Sequence, residues 1–193
     1  MPTKVRSITI LGLIGLLLIL IAIIMITTYN NLVDMDEDIH GKYSQIENRL
    51  QERSDKINQI VASVSGLQEH AESIYNAITS ARQAYQSAQT MEELIAADAA
   101  QALAFSNFLV VVEDNPNITA TSAYNELIYE ISMMESTLSV ARRDYNLSVQ
   151  DYNASVRRFP RLFFANLFGF EKSYEYWKIN DGADEVPAID FND

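Results

Sequence analysis

The sequence predicts an all-α protein, an N-terminal transmembrane helix followed by an antiparallel four-helix bundle. Three observations lead there. Residues 8–26 are uncharged and, Thr9 apart, entirely apolar or glycine. Beyond Asp34 the apolar residues recur at alternating spacings of three and four, the signature of helices packed along one seam. No stretch shows the two-residue alternation of a half-buried strand.

The first element is the membrane segment. At 1.5 Å per residue, the run from Ile8 to Ile26 spans about 30 Å, the thickness of a bilayer's hydrocarbon core. A cleaved signal peptide is the rival assignment, with Lys4 and Arg6 as its charged start. The apolar run is longer than an ordinary signal-peptide core, and Met25-Ile26-Thr27-Thr28 lacks the small residues of a cleavage site. Lys4 and Arg6 precede the span, whereas Lys42 is the next basic residue after it. The positive-inside bias therefore sets the N-terminus in the cytoplasm and the C-terminal domain outside it. The segments expected are a short basic tail (1–7), the anchor (8–28), a helical body (29–170) and an acidic tail (171–193).

A heptad stripe opens the body, through Ile39, Tyr43, Ile46, Leu50, Arg53, Ile57, Ile60, Val64, Leu67, Ala71, Ile74, Ile78, Ala81, Tyr85 and Ala88. Arg53 is its one charged member. The acidic run Asp34, Asp36, Glu37 and Asp38 just before it is expected at a helix N-terminus, where the dipole favours negative charge. Thr90 with Glu93 three residues on reads as a capping box opening a helix over Met91–Val112. Residues 113–117 form the clearest loop. A second stripe, Tyr124, Leu127, Ile131, Met134, Leu138, Ala141, Tyr145, Ser148, Tyr152 and Phe159, ends at Pro160, which cannot continue a helix unstrained. Seam tyrosines bury their rings and need partners for their hydroxyls.

Two stackings are open. A break near Ser65-Gly66 gives four pieces of about 42, 33, 33 and 58 Å, suited to an up-down-up-down bundle. The unbroken heptad phase across Gly66 allows the alternative, three long helices plus a short C-terminal helix.

Charge narrows the partners. The 193 residues carry 14 Lys+Arg and 26 Asp+Glu, a net charge of −12. Residues 1–33 hold two of the basic residues and no acidic one, so the rest of the chain, with 12 basic against 26 acidic, carries −14. That balance disfavours nucleic acid, which is bound through a basic face. One stretch breaks the acidity: Arg157, Arg158, Phe159, Arg161, Phe163, Phe164, Phe168 and Phe170 cluster within fourteen positions. It either caps the core or forms an interfacial helix or docking patch at the membrane surface.

No constellation for chemistry is present. The chain has no cysteine, so thiol catalysis, disulfides and thiolate zinc sites are excluded. His40 and His70 stand about 45 Å apart along a helix, too far to share a metal, and each reads as a surface or boundary side chain. The acidic run lacks the glycine and distal glutamate of a calcium loop. No P-loop, nucleophile elbow or zinc-protease motif occurs. Cofactors, metals and catalytic residues are therefore not expected. Arg142 and Arg143 read as bundle ion-pairing residues, with Glu47, Glu52 or Glu135 as partners. Tyr174, Tyr176 and Trp177 suggest an anchored segment, followed by an extended tail at Pro187-x-Ile189-x-Phe191.

Several of these residues together resemble the bacterial LemA family. The resemblance runs from Tyr29-Asn30-x-Leu32-Val33 through Ser44-Gln45-Ile46-Glu47, Val111-Val112-Glu113, Glu135, Ala141-Arg142-Arg143-x-Tyr145-Asn146, Asp151-Tyr152-Asn153, Phe159-Pro160 and Phe168-Gly169-Phe170 to Phe191. It departs at Tyr43, where the family usually has Trp, and at Asn58, where it often has Pro. It implies a single-pass membrane protein with an antiparallel helical bundle and no established biochemical activity. The function expected is that of a non-enzymatic scaffold at the cell envelope. Its partners would be the membrane, other envelope proteins such as a membrane protease system, or copies of itself. A sensory domain binding a small ligand between helices is the alternative.

Overall fold

The computed structural model describes residues 2–63, 71–113 and 122–178. Five helices follow in order: α1 (Pro2–Ser63), α2 (Ala71–Ser87), α3 (Met91–Glu113), α4 (Ser122–Val156) and α5 (Arg161–Phe168), with no strand among the described residues. The chain is all-α, as the sequence predicts. Gly66, His70, the loop at 114–117 and the tail motif at 187–191 lie outside the described residues. The chain forms two compact units, Met1–Tyr43 with Asp144–Tyr176, and Ser44–Arg143 with Trp177–Asp193.

The span and the start of the heptad stripe are one helix. Between Gly15 and Gly41 the sequence offers no glycine or proline to end α1, and propagation costs less than a new start. Thr27 stays inside it by donating its hydroxyl to the carbonyls of Ile23 (2.9 Å) and Ile24 (3.1 Å). Asp34, Asp36, Glu37 and Asp38 consequently sit in mid-helix, not at the N-terminus their charge suggested.

In the second unit, α2 folds back on α1. The Tyr85 hydroxyl donates to the carbonyl of Glu47 at 3.1 Å. A continuous helix would hold residues that far apart in sequence about 57 Å from each other. The three-long-helix alternative is thereby overturned, and four helical segments share a core of Ile46, Leu50, Ile78, Ala81, Leu94, Ala97, Phe105, Phe108, Ile131 and Leu138. The capping box forms as expected. The Glu93 amide donates to Thr90 Oγ1 at 3.2 Å, and Glu93 Oε2 accepts from the amides of Gln89 (2.7 Å) and Thr90 (3.2 Å). Those bonds hold the Glu93 carboxyl below its usual pKa. The residues from Met91 to Val110 are long and apolar enough to cross a membrane, yet Leu94, Ala97, Ala104, Phe105 and Phe108 are buried in this core.

In the first unit, α4 runs antiparallel to α1. Tyr145 lies against Tyr43, with ring centroids 6.1 Å apart, and the Ser148 hydroxyl donates to Asp38. The helix ends at Val156, before the Phe159 that the stripe suggested, and a turn leads to α5.

Candidate functional site

Residues 157–176 of the first unit are built from the end of α4 outward. Arg157, Arg158 and Phe159 form an exposed turn, closed by the Arg158 amide on the Ser155 carbonyl (3.1 Å); the Phe159–Pro160 peptide is cis. Arg161 opens α5 half-buried and donates to Ser155 Oγ at 2.6 Å. The aromatic cluster then divides by helix face. Phe164 and Ala165 are buried, and Phe164 stacks on Phe168 at 6.3 Å. One turn apart on the other face, Phe163 is 61% exposed and Leu167 58%, with Leu162 beside them and Phe159 at 88% in the turn.

Gly169 ends α5 at φ 78°, a left-handed conformation that costs glycine nothing, while the Phe170 amide returns to the Ala165 carbonyl at 3.0 Å. That reversal places Phe168 and Phe170 edge-on against Tyr29, at 5.1 and 5.6 Å. Tyr29 stands immediately beyond the apolar span, so α5 is fastened where the anchor ends.

The described residues past Phe170, 171–178, hold no helix, and side chains of α4 bond to their backbone. Tyr152 donates to the Glu171 carbonyl (2.9 Å) and Tyr145 to that of Glu175 (3.0 Å). Asn153 grips Tyr174 twice, donating to its carbonyl (2.9 Å) and accepting from its amide (2.8 Å). The Tyr174 hydroxyl donates to Asp36, and its ring meets His40 edge-on at 5.9 Å. Burial pushes the Tyr145 and Tyr152 phenols up to about 12, helped by Tyr43 and Glu175 in the first case and by Asp36 and Glu171 in the second. Tyr174 is raised too, by burial first and then by its bond to Asp36. These phenols stay neutral and act as fasteners, with no acid–base role near neutral pH.

The second unit holds a different cluster. Arg53, the charged member of the stripe, is 2% exposed. It donates through Nε to Gln101 Oε1 (3.2 Å), through Nη1 to Glu135 (2.7 Å), and through Nη2 to the Asp98 side chain (2.6 Å) and carbonyl (3.0 Å). Asp98 also accepts from Arg142. Two arginines and two carboxylates thus close a neutral network across α1, α3 and α4. Sequence reasoning placed Arg142 with Glu47, Glu52 or Glu135; Asp98 takes it instead, and Glu135 serves Arg53. A cavity of about 10 Å³ beside it, lined by Ser54, Ile78, Ala81, Arg82, Gln101 and Ala104, has room for one water. No group of three or more His, Asp or Glu side chains able to hold a metal occurs among the described residues.

Residues 42–191 match the LemA family, most of the chain. The protein belongs to the LemA family. It is also 26% identical over 96 residues to the magnetosome protein MamQ of Magnetospirillum gryphiswaldense, a match covering 50% of this chain and 35% of that protein. The LemA motifs that are densest late in the sequence do structural work in this chain. Glu135 and Arg142 belong to the ion network, while Tyr145, Tyr152 and Asn153 fasten the segment after α5. Tyr29, which sequence reasoning did not place in the site, joins it through its two ring contacts, and Leu162 and Leu167 extend its exposed face. The four-residue helical spacing from Phe163 is the sequence signal that could have found Leu167.

Proposed function

We propose that this LemA protein is a non-enzymatic scaffold, tethered to the membrane by residues 8–28, that presents its helical body to other proteins of the cell envelope or to copies of itself. The observation that carries the tether is the change along α1: the leucines and isoleucines from Ile10 to Ile26 are exposed, whereas Thr28, Leu32, Ile39 and Ile46 are buried. An exposed apolar stretch of about 30 Å has no stable place in water and matches the bilayer core. Lys4 and Arg6 before it, with no Lys or Arg after it until Lys42, support a cytoplasmic N-terminus and a body outside. The scaffold reading is supported by the way polar clusters are spent on holding helices together: Arg53 and Asp98 on each other, Tyr145 and Tyr152 on backbone carbonyls. The cavity beside the ion network holds about one water, too little for a small ligand at that place.

A reporter fused after Asp193 tests the topology; activity outside the cytoplasm is expected, and a cytoplasmic signal overturns the orientation and the class of partner. Crosslinking in intact membranes tests the scaffold. Specific crosslinked species of higher mass are expected, and recovery of the monomer alone rejects it.

A further inference from the structure

The outward face of α5 is a large apolar surface on a chain whose polar residues are otherwise abundant, and its position suggests what covers it. Phe159, Leu162, Phe163 and Leu167 are all exposed, and Arg157 and Arg158 flank them with no ion pair among the described residues. The antiparallel pairing of α1 with α4 fixes their level. As α1 is followed from Tyr43 to Asp38 toward its N-terminus, α4 is followed from Tyr145 to Ser148 toward its C-terminus. Carried on at the same rise, this pairing sets Val156 level with Asn30, so the arginine turn begins where the span ends. The Tyr29 contacts to Phe168 and Phe170 hold α5 at that same level.

We propose that α5 and the turn before it form an interfacial foot. Phe159, Leu162, Phe163 and Leu167 enter the headgroup–acyl boundary of the membrane that holds α1, and Arg157 and Arg158 bind the phosphates of anionic phospholipids. The occupant follows from continuity, because the surface begins within a residue or two of a segment already suited to lipid. It follows also from charge, since paired arginines in a chain of net −12 complement an anionic surface. A short apolar face of this kind binds weakly alone, but the tether makes its binding intramolecular, and a second weak contact then suffices to hold it. The foot would fix the tilt of the body on the membrane. This inference rests on the tether proposed above.

The test uses the full chain, whose lack of cysteine allows single labels without background. Nitroxides are placed by Leu17→Cys, Phe163→Cys, Leu167→Cys and Tyr129→Cys in vesicles of equimolar phosphatidylcholine and phosphatidylglycerol. Collisions with oxygen and with a water-soluble nickel chelate are then compared. Labels at 163 and 167 are expected to favour oxygen as the label at 17 does, while 129, exposed on α4, favours nickel. If 17 reports lipid and 163 and 167 report water, the foot is rejected and the tether stands; if 17 reports water, the tether itself fails. Spin–spin broadening at 163 would show a second copy on this face and reject the proposal. Pairing Arg157→Gln with Arg158→Gln, or using phosphatidylcholine alone, should lower the oxygen preference at 163 severalfold; an unchanged preference overturns the role given to the arginines.

Discussion

The two units of this LemA protein invert the usual allocation of residue types in opposite ways. One buries charge: Arg53 and Asp98 are both almost fully covered, inside a bundle. The other exposes rings: Phe159 and Phe163 stand in the open at the end of an anchor. The difference teaches how each exception is satisfied. Charge can be buried when every ionised group has an opposite partner and geometry good enough to offset desolvation, and Arg53 directs four hydrogen bonds to three side chains and a carbonyl. Exposed rings need no internal partner when the surrounding medium is lipid.

The largest expected effect breaks the buried network. Arg53→Met takes the ion partner from Glu135 and the donor from Gln101 Oε1, leaves Asp98 to Arg142 alone, and should cost about 3–5 kcal/mol in denaturant unfolding of the detergent-solubilised chain. Arg158→Met, in the exposed turn, should change stability by less than ~0.5 kcal/mol. Equal losses would erase the distinction between the units. Next, Phe164→Ala should cost about 3 kcal/mol as a core truncation, while Phe163→Ala one residue away is nearly silent in detergent. A reversed order would mean that α5 packs by its other face.

A smaller effect is read with pH. The Tyr145 and Tyr152 phenols, pushed up to about 12 from an ordinary 10, hold their protons more tightly folded than unfolded. Their contribution is fully present below pH 10 and is lost as pH rises toward 12. The unfolding midpoint should therefore fall over that window, and less steeply in Tyr145→Phe and Tyr152→Phe; identical slopes would remove the tyrosines as the cause. The smallest effect sharpens the first comparison. Lys56 pairs with Glu130 at 3.2 Å between half-exposed side chains. Lys56→Met should cost less than ~1 kcal/mol, against several for Arg53 three residues earlier.

Much of the fold was legible because it rests on short-range regularities. The apolar run, the Thr90–Glu93 box, the need of Tyr145 and Tyr152 for hydroxyl partners and the heptad positions Ile39, Ile46, Leu50, Ile78, Ala81, Ile131, Leu138 and Ala141 are each local, and each appears as expected, whereas Phe159 at the end of the second stripe lies exposed beyond the helix. The acidic run at Asp34–Asp38 was misplaced because its charges fit a helix N-terminus well. What the local pattern could not say is that the span already supplied the helix, with Ser148 and Tyr174 bonding two of those aspartates from afar. The fold-back between Glu47 and Tyr85 was expected from the lengths of the helical pieces, although a heptad keeps its phase whether the helix runs on or turns.

The site was legible as a composition and not as a surface. Three arginines and five phenylalanines between 157 and 170 stood out, but which rings face inward depends on a helix starting at Arg161 and on Gly169 turning the chain back to Tyr29. By itself the sequence determined the helical class, the apolar run near the N-terminus and the existence of an Arg/Phe-rich stretch, because periodicity, length and composition are properties of neighbouring residues. Tertiary structure alone decided that Arg53 is the hub of an ion network, that α4's tyrosines fasten a non-helical segment, and that α5 shows one face at the end of the span. Each of those depends on contacts between residues tens of positions apart, and a buried charge or an exposed ring is defined only by what the fold brings beside it.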